Sequence, residues 1–320
     1  MDLAEIGERV DDSPDPLSPA RYTAEWLPSQ IARYASAVDM LPVGSPGKVG
    51  VLDLAFERIG GRTELTAHYQ KAPLHITRTL YGDPGRPDMP SVMFLSSSGG
   101  VVQGDRYRID VTCGAGSSVH LSTPAATRVY RMEQDYASQL VNFSVGRGAY
   151  LEYLPGHTIP YVNSRYYQRI GVTVDPEATV VLGETVMGGR LARGELHAYD
   201  AYCSDLEVRG TDGQLICCDP MRLAPPERPV TGPAVLAGFG VVASLYVVTG
   251  ARPAQELAGA MHDALTGTGL RAGAGVLPGE RGAWARILGD RSPEVTAAMH
   301  LTWDVVRRLL IGVPAPERRV

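Results

Sequence analysis

Three carboxylates stand inside otherwise apolar stretches: Glu152 in YLEYLP, Glu184 in VVLGETV and Asp219 in ICCDP. A carboxylate is costly to bury unless it is paired or serves a ligand. Spacing leaves two readings open. The groups face outward or pair with arginine, or two of them, with Glu152 and Glu184 the best placed, work as acid and base in a hydrolase. Other chemistries are poorly served. No GxSxG frames a serine, and the run Ser96-Ser97-Ser98 has no partner base in the sequence. The glycine segments GGVVQGD (99–105) and Gly188-Gly189-Arg190 lack the lysine and the following helix of a phosphate-cradling loop. Seven scattered histidines and four cysteines without a CxxC do not make the paired spacings of a closed zinc site. Cys217 and Cys218 lie in an alternating strand, which sends their thiols to opposite faces.

The elements that would position these groups are mostly strands. RYRIDV alternates, with Tyr107, Ile109 and Val111 opposite Arg106, Arg108 and Asp110. VLDLAFERI, VNFSV, YYQRIGVTV and TVVLGETV follow the same rule, and LEVRG-TDG-QLICCD reads as a hairpin. Strands recur through 49–250 without a helical period between them and without a fixed repeat, so a sandwich or a β-solenoid is expected. From 251 the pattern changes. Leu257, Met261 and Leu265 share one helix face. Ser292-Pro293-Glu294 reads as a helix start with a capping hydroxyl, and Val295, Met299, Val306 and Leu310 mark a stripe ended by Gly312 and Pro314. Residues 1–46, with DDSPDPLSP and LPVGSPG around a weakly helical piece, are expected to be a partly flexible extension. The organisation expected is therefore 1–46 extension, 47–250 β-rich body and 251–320 helical portion packed on it.

Composition excludes several classes. Of 320 residues, 36 are Gly and 24 Pro, a turn-rich chain, yet 44% are hydrophobic, so wholesale disorder is excluded. A net charge of −5 argues against a nucleic-acid binder. The apolar run VVASLYVV is too short to span a bilayer and reads as a buried strand. The acidic start MDLAEIGERVDDSPDP is unlike a signal peptide, so a cytoplasmic protein with free thiols is expected. Fifteen tyrosines against four phenylalanines mean that aromatic burial leans on a side chain with a polar end.

GGVVQGD at 99–105, CGAGSSVHLSTPAATRVYR at 113–131, GAYLEYLPGHTIPY at 148–161 and GR-x3-GE at 189–195 occur in an order and spacing similar to the UreD (UreH) family of urease accessory proteins. The likeness runs from about Gly47 to the region of Trp303. It departs at Arg128, where the family has lysine, and at the turn Gly156–Tyr161, where many members read LPQETI followed by Phe-Asp. The resemblance implies a β-helical body with a small helical portion, and a non-enzymatic maturation factor that bridges UreF and UreG to apo-urease, with no nucleic acid or membrane partner. It further implies that no cofactor is held tightly and that a nickel ion passes in transit. Asp105 and Asp219 match passage-associated carboxylates of the family, Thr127 in PAAT matches another lining position, and Glu184 occupies an acidic position there. Dispersed carboxylates suit passage, because a His/Cys cage would trap nickel.

Overall fold

The alternating strands wind into a β-solenoid. The computed structural model describes residues 18–35 and 49–316, so most of the extension expected to be flexible, 1–17 and 36–46, lies outside the described residues. Two helical turns, α1 (Pro19–Tyr22) and α2 (Ser29–Ala32), precede the hairpin of β1 (Val49–Ile59) and β2 (Arg62–Lys71), then β3 (Leu74–Ile76) and β4 (Ser91–Ser96). The next coil is β5 (Arg106–Cys113), β6 (Ser118–Ser122) and β7 (Thr127–Val129). Another follows as β8 (Ala137–Val145), β9 (Tyr150–Leu154) and β10 (Thr158–Pro160), then β11 (Arg165–Val174) and β12 (Thr179–Met187). The expected hairpin is β13 (Ala201–Gly210) with β14 (Leu215–Leu223), turned through Gly213 at φ +81°. β15 (Val241–Val248), α3 (Ala254–Leu265), β16 (Arg271–Val276), β17 (Gly282–Gly289) and α4 (Ser292–Ile311) complete it.

One wall is the sheet β14-β13-β11-β8-β5-β1-β2, with β1, β5, β8, β11 and β13 parallel. The facing wall runs β16-β17-β15-β12-β9-β6-β4-β3, with β4, β6, β9 and β12 parallel. A narrow third side stacks β7 on β10 on the end of β12, through Thr127, Thr158 and Val186. The result is a solenoid of about four turns. Glycines turn its corners: Gly116 and Gly148 sit at φ +68° and +65° between wall strands, where a side chain would be strained.

Alternation decides what fills the inside. Tyr107, Ile109, Val111, Val141, Phe143, Ile170, Val172, Leu182 and Val242 share the interior core. The opposite face of the second wall, with Val181, Ala243, Leu245 and Ile287, packs against Leu257, Met261, Leu265, Val295 and Val306 of the two long helices. VVASLYVV is β15, buried at every residue. The Ser292 hydroxyl does not cap α4: Arg291 holds that position without a side-chain bond, and Gly312 ends the helix at φ +73°.

The described part of the extension lies on the outside of the first wall. Arg21 Nη2 donates to Asp110 Oδ2 at 2.9 Å, Arg108 Nη1 donates to the Arg21 carbonyl at 2.6 Å, and Ile31 packs against Leu140 and Tyr167. Tyr166 and Tyr167 are both buried, the first inside the solenoid and the second beneath this arm. Cys217 and Cys218 do face opposite sides, one buried and one exposed. Burial pushes the thiols of Cys113, Cys203 and Cys217 up to about 12. A maleimide at pH 8 should therefore label Cys218 alone in the native protein and all four cysteines after unfolding; rapid native labelling of a second thiol would contradict this packing.

Candidate functional site

Inside the first wall, one polar residue per coil falls in the same row. Tyr107 of β5 pairs in register with Gln139 of β8, Gln139 with Gln168 of β11, and Gln168 with Ser204 of β13. At about 4.8 Å per strand, the row runs some 14 Å along the solenoid axis. A second row crosses the facing wall, from Glu184 of β12 to Ser244 of β15 to Arg286 of β17. The rows meet where Gln168 Nε2 donates to Glu184 Oε1 at 3.1 Å and the Tyr202 hydroxyl donates to the same oxygen at 2.9 Å.

A cavity with about 170 Å³ of room for water centres opens alongside the first row. Ser98, Gly99 and Thr127 are in its wall, together with Tyr107, Gln139, Gln168 and Glu184. Asp219 and Asp105 are not in its wall. Asp105 is fully buried at the end of GGVVQGD, where Oδ2 accepts from the Val102 N–H and the Tyr107 hydroxyl, both at 2.9 Å. That loop needs its glycines: Gly104 sits at φ +79°, and a Cβ on Gly100 would meet the Arg128 carbonyl at 2.5 Å. Asp219 of β14 lies beyond Glu184, accepting from the Tyr246 hydroxyl and from Arg286 Nη2.

Each of the three carboxylates that the family resemblance marks, Asp105, Glu184 and Asp219, thus accepts from one tyrosine hydroxyl on the inner side of the solenoid, from Tyr107, Tyr202 and Tyr246. Burial holds the Glu184 carboxyl above its ordinary range, against the bonds from Ser204 and Tyr202; Asp219 adds to the rise and Arg286 opposes it. Burial likewise raises all three phenols, which stay neutral donors. Among the described residues no group of three or more His, Cys, Asp or Glu side chains gathers as a metal cage.

Glu152 has a different setting. It points out of the solenoid, under α4, and is fully buried among His120, Tyr150, Trp303 and Arg307. Val181 pairs with Glu152 in register, and Glu184, three residues further along β12, faces the other side of the sheet. The hydrolase reading with Glu152 and Glu184 as a pair therefore fails: a sheet separates the two carboxyl groups. The other motifs are structural closures. Arg190 and Glu195 of GR-x3-GE form a two-bonded ion pair, and Arg190 lies 4.3 Å over the Tyr161 ring. In the divergent turn, His157 Nε2 meets Thr296 Oγ1 of α4 at 2.9 Å.

Sequence reasoning misses Gln139, Gln168, Ser204, Ser244 and Arg286. Their signal is a single polar residue in the inward phase of an apolar strand, legible only when the coils are in register.

The described residues thus form a parallel solenoid with a polar, carboxylate-bearing interior. The UreD urease accessory protein family model matches residues 48–320. A urease accessory protein UreD 2 of Streptomyces griseus is 52% identical over 291 residues, covering 90% of this chain and 99% of its own length. Urease accessory proteins UreD of Haloarcula marismortui and Cenarchaeum symbiosum are 41% and 36% identical, covering 88% and 87% of this chain and 94% and 98% of their own. The chain belongs to the UreD urease accessory protein family. Among the described residues no helix is long and apolar enough to cross a membrane.

Proposed function

We propose that this protein is a non-enzymatic urease maturation factor that conducts a nickel ion through the solenoid toward apo-urease, while bridging it to the accessory proteins UreF and UreG. The observation that carries the reading is the pair of interior rows joined at Glu184. Nickel is cargo here: it must be bound weakly at successive points, since a tight cage would stop it. Thr127 flanks the cavity, and the Gln139 and Gln168 amides offer oxygen donors at coil spacing. Glu184 is the first carboxylate that the ion meets inside, and Asp219 the next. Asp105 acts through Tyr107, which it holds on the cavity wall. Tyr166 supports a hydrated interior, because its buried hydroxyl has no hydrogen-bond partner among the described residues. Transit leaves no cofactor bound tightly. The work is cytoplasmic, where the unpaired thiols of Cys113, Cys203, Cys217 and Cys218 are at home.

The test is the double variant Asp105→Asn with Asp219→Asn, which keeps side-chain shape and removes two charges. Coexpressed with urease and the other accessory proteins, it should lower urease activation while still co-purifying with UreF. Unchanged activation with unchanged nickel in urease would overturn the passage reading.

A further inference from the structure

The row Glu184–Ser244–Arg286 puts a fixed cation in the proposed path of a cation. Arg286 Nη2 bonds Asp219 and, at 3.0 Å, the Tyr246 hydroxyl, while its Nε bonds Ser244 Oγ at 3.1 Å. The cavity wall includes Glu184 and stops short of these four residues. Arg286, which continues the row past Glu184, and its partner Asp219 are 37% and 30% exposed. A guanidinium at such a place repels cations and takes up the carboxylate that would attract them.

We infer that Arg286 is an internal stopper, and that Asp219, Tyr246 and Ser244 form an oxygen-donor site for a small divalent transition cation once the guanidinium has left. The inference rests on the passage reading and adds a closed resting state to it. The fold leaves room for the movement. The next position in the row, on β16, is Gly273, where an added Cβ would meet nothing within 4 Å. Trp284, on the same face of β17, offers its ring to the guanidinium, now 6.0 Å away. Displacement exchanges a monovalent side-chain cation for a divalent one at the same carboxylate, so the closed state does not load adventitiously and the open state does not lose its counter-charge.

The test is calorimetric titration of the full chain with Ni²⁺. Arg286→Gln should bind Ni²⁺ about tenfold more tightly than the parent or take up one further equivalent, a change well within reach of the method. Adding Asp219→Asn to that variant should remove the gain. Arg286→Met keeps the aliphatic stem and removes the guanidinium while leaving Asp219, Tyr246 and Ser244 in place, so it should shift binding in the same direction; it carries the test if Arg286→Gln does not give the native near-UV spectrum. A variant that binds no more Ni²⁺ than the parent, or a gain that survives Asp219→Asn, overturns the stopper. The two ideas separate cleanly. A gain in binding together with normal activation by the Asp105/Asp219 variant removes the passage and leaves the site. The opposite pair of results removes the stopper and leaves the passage.

Discussion

Glu152→Ala should destabilise the protein by about 3–5 kcal/mol, the scale for breaking a buried ion pair, and should loosen α4 from the solenoid. Glu152 is fully buried, collects three donors (His120 Nδ1 at 2.8 Å, the Tyr150 hydroxyl at 2.7 Å and Trp303 Nε1 at 3.1 Å) and pairs with the Arg307 guanidinium, whose Nε lies 3.4 Å away. Arg307 is itself 1% exposed and its other end is held by Asp83 at 2.6 Å. Removing the carboxylate orphans buried donors and leaves a guanidinium with half its counter-charge, which costs far more than the contact itself contributes. Burial pushes the Glu152 carboxyl up, but the bond and charge of His120, then Arg307 and Tyr150, hold it below the ordinary value of a glutamate. Its folded value is thus depressed, so its stabilisation is present above the unfolded value and fades as pH falls through the folded one. Denaturant midpoints should show a gap between parent and variant at pH 7 that narrows below about pH 4. A loss under about 1 kcal/mol at pH 7 would contradict this placement of Glu152.

The body of the fold was legible because inward and outward residues differ in kind. RYRIDV and VVASLYVV declare their faces, and Gly213 and Gly312 mark turns that only a positive φ allows. The solenoid itself was not legible from periodicity. Arg106 stacks on Ser138, Ser138 on Tyr167 and Tyr167 on Cys203, steps of 32, 29 and 36 residues, so the coils show no fixed repeat. The choice between sandwich and solenoid therefore rested on the family likeness. For the same reason Gln139 and Gln168 looked like isolated polar residues, although they are neighbours in space. Of the candidates, Glu184 was recognisable as a carboxylate in an apolar strand, but nothing in the spacing separated it from Glu152, which differs only in the phase of its strand. Ser292 was misread because a hydroxyl before Pro-Glu usually caps; here the chain enters α4 one residue earlier, from Arg291.

The interior row predicts the second large effect. Gln139→Leu with Gln168→Leu exchanges two amides for apolar groups of similar volume, which should cost about 1–3 kcal/mol because Glu184 is left short of one donor. It should nonetheless close the passage. The amide donors and acceptors between the cavity wall at Thr127 and the inner carboxylate disappear. Glu184 then loses the 3.1 Å bond from Gln168, a donor that favours its charged form. Folding and partner binding should survive, because both side chains point inward. The most direct measurement is the nickel content of urease matured in cells that carry this double variant in place of the parent, with co-purification of UreF as the control for assembly. Passage through the solenoid predicts nickel per urease active site clearly below the parent level. Urease carrying its full nickel, matured by a variant whose interior row is apolar, would contradict it.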